Sequence, residues 1–227
     1  SIFGFLVARE AYATAILAPL FIVMSLLYGV VVYYLLLVII NKLHKTTIES
    51  EVIETLKKLT VMFLFTNLYF LFLYHLTNMY ISKHLEFEIF ILFNGGVYTV
   101  AFWLGQVLIG IILPLIFLLT NRMCSYFSLL ISSLFILLGS FMSMFVIIIA
   151  GQAYPLTIFP DHTIMESSFY DDVIHSYVPS IYELGLGIGG TALALIIVLI
   201  GLANLKFLPK IIRSKNNNKN LETSSAD

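Results

Sequence analysis

Long apolar runs, separated by short polar segments, constrain the fold of this chain more than any other feature. Each run has roughly 20 residues, which is enough to cross a hydrocarbon core of about 30 Å as an α-helix. A transmembrane β-barrel would instead show short segments of alternating hydrophobicity. The chain is 60% hydrophobic and 11% charged, whereas about a quarter of the residues in soluble domains are charged. The sequence therefore predicts an all-α, polytopic transmembrane helical bundle.

Hydropathy predicts five membrane-spanning helices. They cover approximately residues 15–41, 59–80, 98–119, 127–150 and 181–207. We interpret residues 1–14 as the tail of a truncated preceding helix and an outer loop, and residues 15–208 as the transmembrane bundle. Residues 209–227 are polar and without aromatic side chains, so we expect a disordered cytoplasmic tail. The short apolar start indicates a fragment of a longer protein.

The lysines and arginines orient the predicted helices. Ten of the 12 lie on one side, and only Arg9 and Lys83 lie on the other. Because cytoplasmic loops carry an excess of basic residues, the side with ten is predicted to be cytoplasmic. The loop of residues 152–180 is then outside, and the C-terminus is inside.

Residues 46–58 form an amphipathic segment before the second span. Thr46 and Glu49 have capping-box spacing. Ile48, Val52 and Leu56 recur on one helical face. We expect a separate short helix lying along the cytoplasmic interface.

The second predicted span carries the most polar stripe of the chain, formed by Asn67, His75 and Asn78 and extended by Thr60 and Ser82. Polar side chains in lipid normally face other helices or a wet cavity. One interpretation is a quinone or proton site in which His75 donates a hydrogen bond to a carbonyl oxygen. The other is interhelical hydrogen bonding alone.

Resident metal centres are not expected in this chain. Cys124 is its only cysteine, which excludes an intramolecular disulfide and a cysteine-ligated cluster. His75 is the only histidine well within a predicted helix, so a haem held between two histidines is not expected. The basic residues are scattered through loops, and nucleic-acid binding is not expected either.

The third predicted span combines glycines, a proline and polar side chains. Gly105 and Gly110 permit close approach of another backbone, and Pro114 predicts a kink that neighbouring helices repair. Trp103 and Gln106 lie one turn apart. These features build a site in some membrane proteins and serve ordinary packing in others.

Glu183 stands at the start of the last predicted span, within "YVPSIYELGLGIGG". Ser180 and Glu183 have the spacing of a capping box, and a carboxylate suits the positive end of the helix dipole. A partly buried carboxylate at this place could also transfer protons. The glycine pair Gly185 and Gly189 predicts tight packing of this helix against another.

Several motifs resemble the membrane subunits of the polysulfide-reductase family, the NrfD-like proteins. "APLFIVMSLLYG" resembles the opening of the second half of these subunits, and "FWLGQVLIGIILPLI" resembles a later helix. The C-terminal features are a Gly-Gln pair, a Pro-containing outer loop and Tyr-x-Pro-Ser-x-x-Glu before a glycine-rich helix. Their residues are Gly151, Gln152, Pro155, Pro160, Tyr177, Pro179, Ser180 and Glu183.

This resemblance implies a haem-free subunit in a prokaryotic cytoplasmic membrane. Such subunits exchange electrons between menaquinone or ubiquinone and a ferredoxin-like iron–sulfur subunit, which often relays them to a molybdopterin catalytic subunit. The substrates are polysulfide, sulfur or related compounds. The resemblance further implies that most quinone contacts lie in the first half of such subunits, whereas this chain resembles the second. The alternatives from other classes are a secondary transporter and a simple membrane anchor.

Overall fold

The computed structural model describes residues 12–44, 48–120, 125–154 and 180–204, and the regular structure in these ranges is helical. The helices are α1 (Leu17–His44), α2 (Ser50–Tyr80), α3 (Leu85–Ile89), α4 (Val97–Leu119), α5 (Ser125–Met144, continued to residue 153) and α6 (Ile181–Asn204). All except the short α3 are long and apolar enough to cross a membrane. The predicted all-α bundle with five spans is confirmed.

Helix α2 is longer than expected. It runs without interruption from Ser50 to Tyr80, so the prediction of a separate interfacial helix at residues 46–58 is wrong. The physical reason is continuity: residues 50–80 contain no glycine or proline, and Ile53 and Leu56 begin the same buried stripe that continues through the span. Thr46 lies outside the described residues.

The chain between α2 and α4 folds back into the bundle. A 3₁₀ turn, Ser82–His84, leads into α3, and a π-helical turn, Phe90–Asn94, follows it. The buried side chains of this segment are His84, Phe87, Glu88, Phe90, Ile91 and Leu92. It ends at Gly96, whose φ of +55° is a conformation that glycine adopts without steric cost.

Helices α4 and α5 form the most extensive helix pair in the described chain. A Cβ atom on Gly139 would lie 2.0 Å from the Cα of Gly110, so the two backbones touch there. A Cβ on Gly105 would meet Met142 at 2.6 Å. The predicted close approach at Gly105 and Gly110 is therefore confirmed.

Both helices contain π-helical stretches, Ala101–Ile112 in α4 and Phe145–Ala150 in α5. The stretch in α4 ends two residues before Pro114, whose ring nitrogen cannot donate a hydrogen bond. Side chains of α5 bond to this part of α4, since Ser132 donates to the Pro114 carbonyl at 3.4 Å and Ser128 donates to the Phe117 carbonyl. The helix pair thus satisfies backbone groups that lipid could not.

Helix α1 joins this group through the Tyr34 hydroxyl, which donates to the Tyr126 carbonyl at 2.9 Å. Among the described residues, 12–39 and 48–154 form one compact unit, and residues 40–44 and 180–204 belong to a second. Three predicted regions lie wholly or largely outside the described residues: the N-terminal tail (except residues 12–14), the outer loop and the cytoplasmic tail. The packing of the α6 glycines against another helix stays a prediction.

Gly139→Ala is expected to lower the stability of the bundle by about 1–3 kcal/mol, because the added methyl group overpacks the contact with Gly110. Gly29→Ala is the matched control, since a Cβ there meets nothing within 4 Å and alanine favours a helix by about 1 kcal/mol over glycine. The measurement is thermal unfolding in detergent, followed by the fluorescence of Trp103, the only tryptophan. An unchanged midpoint for Gly139→Ala would contradict the contact.

Candidate functional site

A fully buried carboxylate lies where α3 folds back onto the end of α2. The side chain of Glu88 is 0% exposed, and its Oε2 lies 2.7 Å from Nδ1 of His75. Its Oε1 accepts a hydrogen bond from the Asn78 amide at 2.8 Å. Burying a carboxylate costs free energy unless it is paired and hydrogen-bonded. Both oxygens of Glu88 meet this condition.

Local backbone geometry brings these side chains together. His75 and Asn78 are three residues apart on α2, so they share a helical face. The chain then turns, with the His84 amide donating to the Ile81 carbonyl at 2.9 Å, and α3 carries Glu88 back toward that face. The π turn after α3 is held by the Trp103 indole, which donates to the Leu92 carbonyl at 3.0 Å.

His84 is the outermost member of this group, which we call the Glu88 cluster (His75, Asn78, His84 and Glu88). Its Nδ1 lies 3.4 Å from the Asn78 side-chain oxygen, a long hydrogen bond that turns the Asn78 amide nitrogen toward Glu88. Burial lowers the pKa of His84 from its ordinary value of 6.5; Lys83 acts in the same direction and Glu88 in the opposite one. His84 therefore fits the cluster best as a neutral donor.

A small cavity adjoins the cluster at His75. Its volume is about 20 Å³, which is room for one water molecule. Apolar side chains such as Leu71, Phe87 and Val146 form most of its wall, and His75 and Gln106 supply polar atoms. Both His75 Nε2 and Gln106 Oε1 are buried without a hydrogen-bond partner in the described residues.

The arrangement is suited to holding and exchanging a proton. At 2.7 Å, His75 Nδ1 and Glu88 Oε2 must share one proton, which either group can carry. The opposite nitrogen of the same ring has no hydrogen-bond partner in the described residues. Phe102 packs edge-on against the ring, with the two ring centroids 4.8 Å apart. Within the described ranges no three His, Cys, Asp or Glu side chains group closely enough to hold a metal ion.

The structure groups two of the residues that the sequence indicates, and leaves two apart. His75 and Asn78 meet at Glu88. Asn67 is buried on the same face of α2, but it lies about 12 Å from His75 along the helix axis. Glu183 accepts from the Ser180 amide at 2.7 Å, and the Glu183 amide donates to the Ser180 hydroxyl at 3.3 Å. These are the two bonds of a capping box.

The sequence analysis missed Glu88, the centre of the cluster. Residues 81–97 lie between the second and third predicted spans, and the sequence predicts no site residue there. The available signal was an acidic residue inside "FEIFILF", where Glu88 follows Phe87 and precedes Ile89. An ionisable residue in such apolar surroundings requires a partner, and His75 supplies it.

A model of the family described as polysulphide reductase, NrfD, matches residues 1–155. This chain belongs to the NrfD family. The matched residues include α1 to α5 and the whole Glu88 cluster. The family resemblance is thus confirmed, although most of the C-terminal motifs that suggested it follow residue 155.

An integral membrane subunit of an Hdr-like menaquinol oxidoreductase from Archaeoglobus fulgidus is similar to this NrfD-family chain. The two are 27% identical over 218 residues, which make up 92% of this chain and 53% of the archaeal protein. The chain therefore spans about half the length of this relative. No solved structure matches this chain.

Glu88→Ala is expected to destabilise the protein by about 3–5 kcal/mol, because removing one partner of a buried pair leaves the others unsatisfied. Glu86→Ala is the matched control, since Glu86 lies on the exposed side of the same short helix. Thermal unfolding in lipid nanodiscs compares the two. Equal midpoints would show that the pairing of Glu88 does not hold α3 in place.

Stability should also depend on pH through His84. Because its pKa is lower in the folded protein than its ordinary value of 6.5, the unfolded state binds more protons on acidification, and stability falls as the pH drops through that region. His84→Asn keeps a donor near the position of Nδ1 but does not titrate. We expect its unfolding midpoint to fall less than that of the unmodified protein between about pH 7.5 and 5.5; an equal fall would contradict this role.

Proposed function

We propose that this chain is the membrane subunit through which an oxidoreductase complex exchanges electrons with the quinone pool. Two observations support the proposal: membership of the NrfD family, and similarity to a protein described as a menaquinol oxidoreductase integral membrane subunit. Besides membrane-spanning helices, such a subunit needs groups that accept and release protons, and the Glu88 cluster provides them in this proposal. The proposed cofactor is menaquinone or ubiquinone.

The Glu88 cluster matches a quinone in its chemistry but not in its size. The buried, unpartnered His75 Nε2 and Gln106 Oε1 have the right chemistry to bond the oxygens of a quinone or quinol. The space does not fit, since a cavity of about 20 Å³ admits one water molecule and not an aromatic ring. We therefore assign the Glu88 cluster to proton exchange and not to ring binding.

A quinol gives up protons together with electrons when it is oxidised. In our proposal the electrons pass to a ferredoxin-like iron–sulfur subunit and from there to a molybdopterin catalytic subunit of the polysulfide or sulfur reductase type. The basic residues orient the Tyr80 end of α2 toward the outside of a prokaryotic cytoplasmic membrane. His75 and Glu88 would then handle protons near the outer face. Asn67 and Glu183 remain further candidates for quinone or proton contacts.

The deciding experiment is purification of the complex with its partner subunits, followed by quinol-dependent reduction of the iron–sulfur centres. We expect reduction in the native complex and a rate lower by about 10- to 100-fold with Glu88→Gln, because proton transfer by a positioned group contributes at least that much. The KM for quinol should stay unchanged, since Glu88 does not bind the ring in this proposal.

Glu86→Gln in the same complex is the control and should retain the native rate. A complex that contains the clusters but shows no reduction by quinol would overturn the proposed function. It would favour the simple membrane anchor, or a transporter if solute uptake into vesicles is found instead.

A further inference from the structure

We propose that the cavity between α2, α4 and α5 binds a single water molecule, and that this water makes the His75–Glu88 pair a reversible one-proton site. The inference rests on the proposed function, because it specifies how the same cluster takes up and releases a proton. It is carried by geometry: His75 and Gln106 both line a water-sized space, and each has a buried polar atom without a partner in the described residues.

The two polar atoms define the site. His75 lines the cavity from α2 and Gln106 lines it from α4. Among the described residues, His75 Nε2 and Gln106 Oε1 are buried without a hydrogen-bond partner. Gln106 is 3% exposed, so bulk solvent does not satisfy its side chain. Buried polar atoms without partners are rare and costly, and a cavity of about 20 Å³ holds one water of the usual volume. One water bonded to both atoms removes both deficits.

The same water serves both protonation states of His75. When the ring is neutral, its Nδ1–H donates to the Glu88 carboxylate, and the water donates one hydrogen to Nε2 and the other to Gln106 Oε1. When the ring is protonated, Nε2–H donates to the water oxygen, and the water still donates to Gln106. The pair changes from a net charge of −1 to neutral, and neither His75 Nε2 nor Gln106 Oε1 loses its hydrogen bond.

The surroundings restrict where the proton can go. Asn78 holds the other Glu88 oxygen through an amide, a group that does not readily pass protons, and His84 lies beyond it. Two titratable groups interact with the pair directly: Tyr74, whose ring centroid lies 5.0 Å from that of His75, and His84. Tyr12 interacts with Tyr74, and Lys83 interacts with His84. The cavity wall receives no titratable side chain from α4 or α5 among the described residues. In this proposal the proton therefore enters and leaves the pair on the water side of His75.

Solid-state NMR on the full chain in lipid vesicles, with ¹⁵N-labelled histidine, tests the inference. We expect magnetisation transfer from water to the His75 ring, whose signals are identified by their loss in His75→Gln. We also expect Nε2 to change from bare to protonated as the pH is lowered. Gln106→Leu should abolish the transfer, because the water loses one of its two side-chain partners.

Gln152→Leu, the same substitution at an exposed position on α5, is the matched control and should leave both signals unchanged. Val146→Ile, which fills the cavity from α5, provides a second variant and should act like Gln106→Leu. Absence of water transfer in the native protein, or undiminished transfer in both cavity variants, overturns the inference. Neither quinone nor partner subunits are needed, so this result is separable from the test of cluster reduction by quinol.

Discussion

The structure depends on one constraint: a carboxylate buried in a membrane bundle must find all of its partners within the protein. Water cannot serve this role in the hydrocarbon region, and an unpaired charge there is expensive. Glu88 satisfies the constraint by accepting bonds from His75 and Asn78. Because both donors lie on α2, α3 has to return to that helix, and the path of the whole segment between α2 and α4 follows from this requirement.

The helices around the cluster obey the same rule for their backbones. The segment of residues 82–94 is too short to span the membrane. Side chains from α4 form hydrogen bonds with carbonyl groups that its irregular backbone leaves free. Thr99 accepts from the Gly95 amide and donates to the Phe90 carbonyl, and Trp103 donates to the Leu92 carbonyl. Irregular backbone at this depth is tolerated only where protein covers it. The close packing of α4 on α5 provides the rigid wall against which the segment rests.

Sequence patterns predicted the spans well, because a membrane span depends on hydrophobicity summed over about 20 residues. They also indicated His75 and Asn78, since a polar residue in an apolar helix stands out individually. Glu88 and Gln106 could not be recognised as partners of His75 in the same way. Their significance comes from contacts between separate helices, including an irregular segment whose path hydropathy does not encode. The prediction of a separate helix at residues 46–58 failed for a related reason. The amphipathic pattern at the start of α2 resembles that of a separate helix, although nothing interrupts α2.

Two carboxylates in this chain show why burial and partner type matter more than sequence position. Glu183 is exposed, and its carboxylate accepts a hydrogen bond from the Ser180 amide at the start of α6, as in a capping box. Glu88 is enclosed, and its partner His75 is itself titratable. Only the second arrangement can change its charge while every partner stays in place, because the imidazole has a second nitrogen at the cavity. We therefore place the proposed proton exchange at the end of α2 and not at the start of α6.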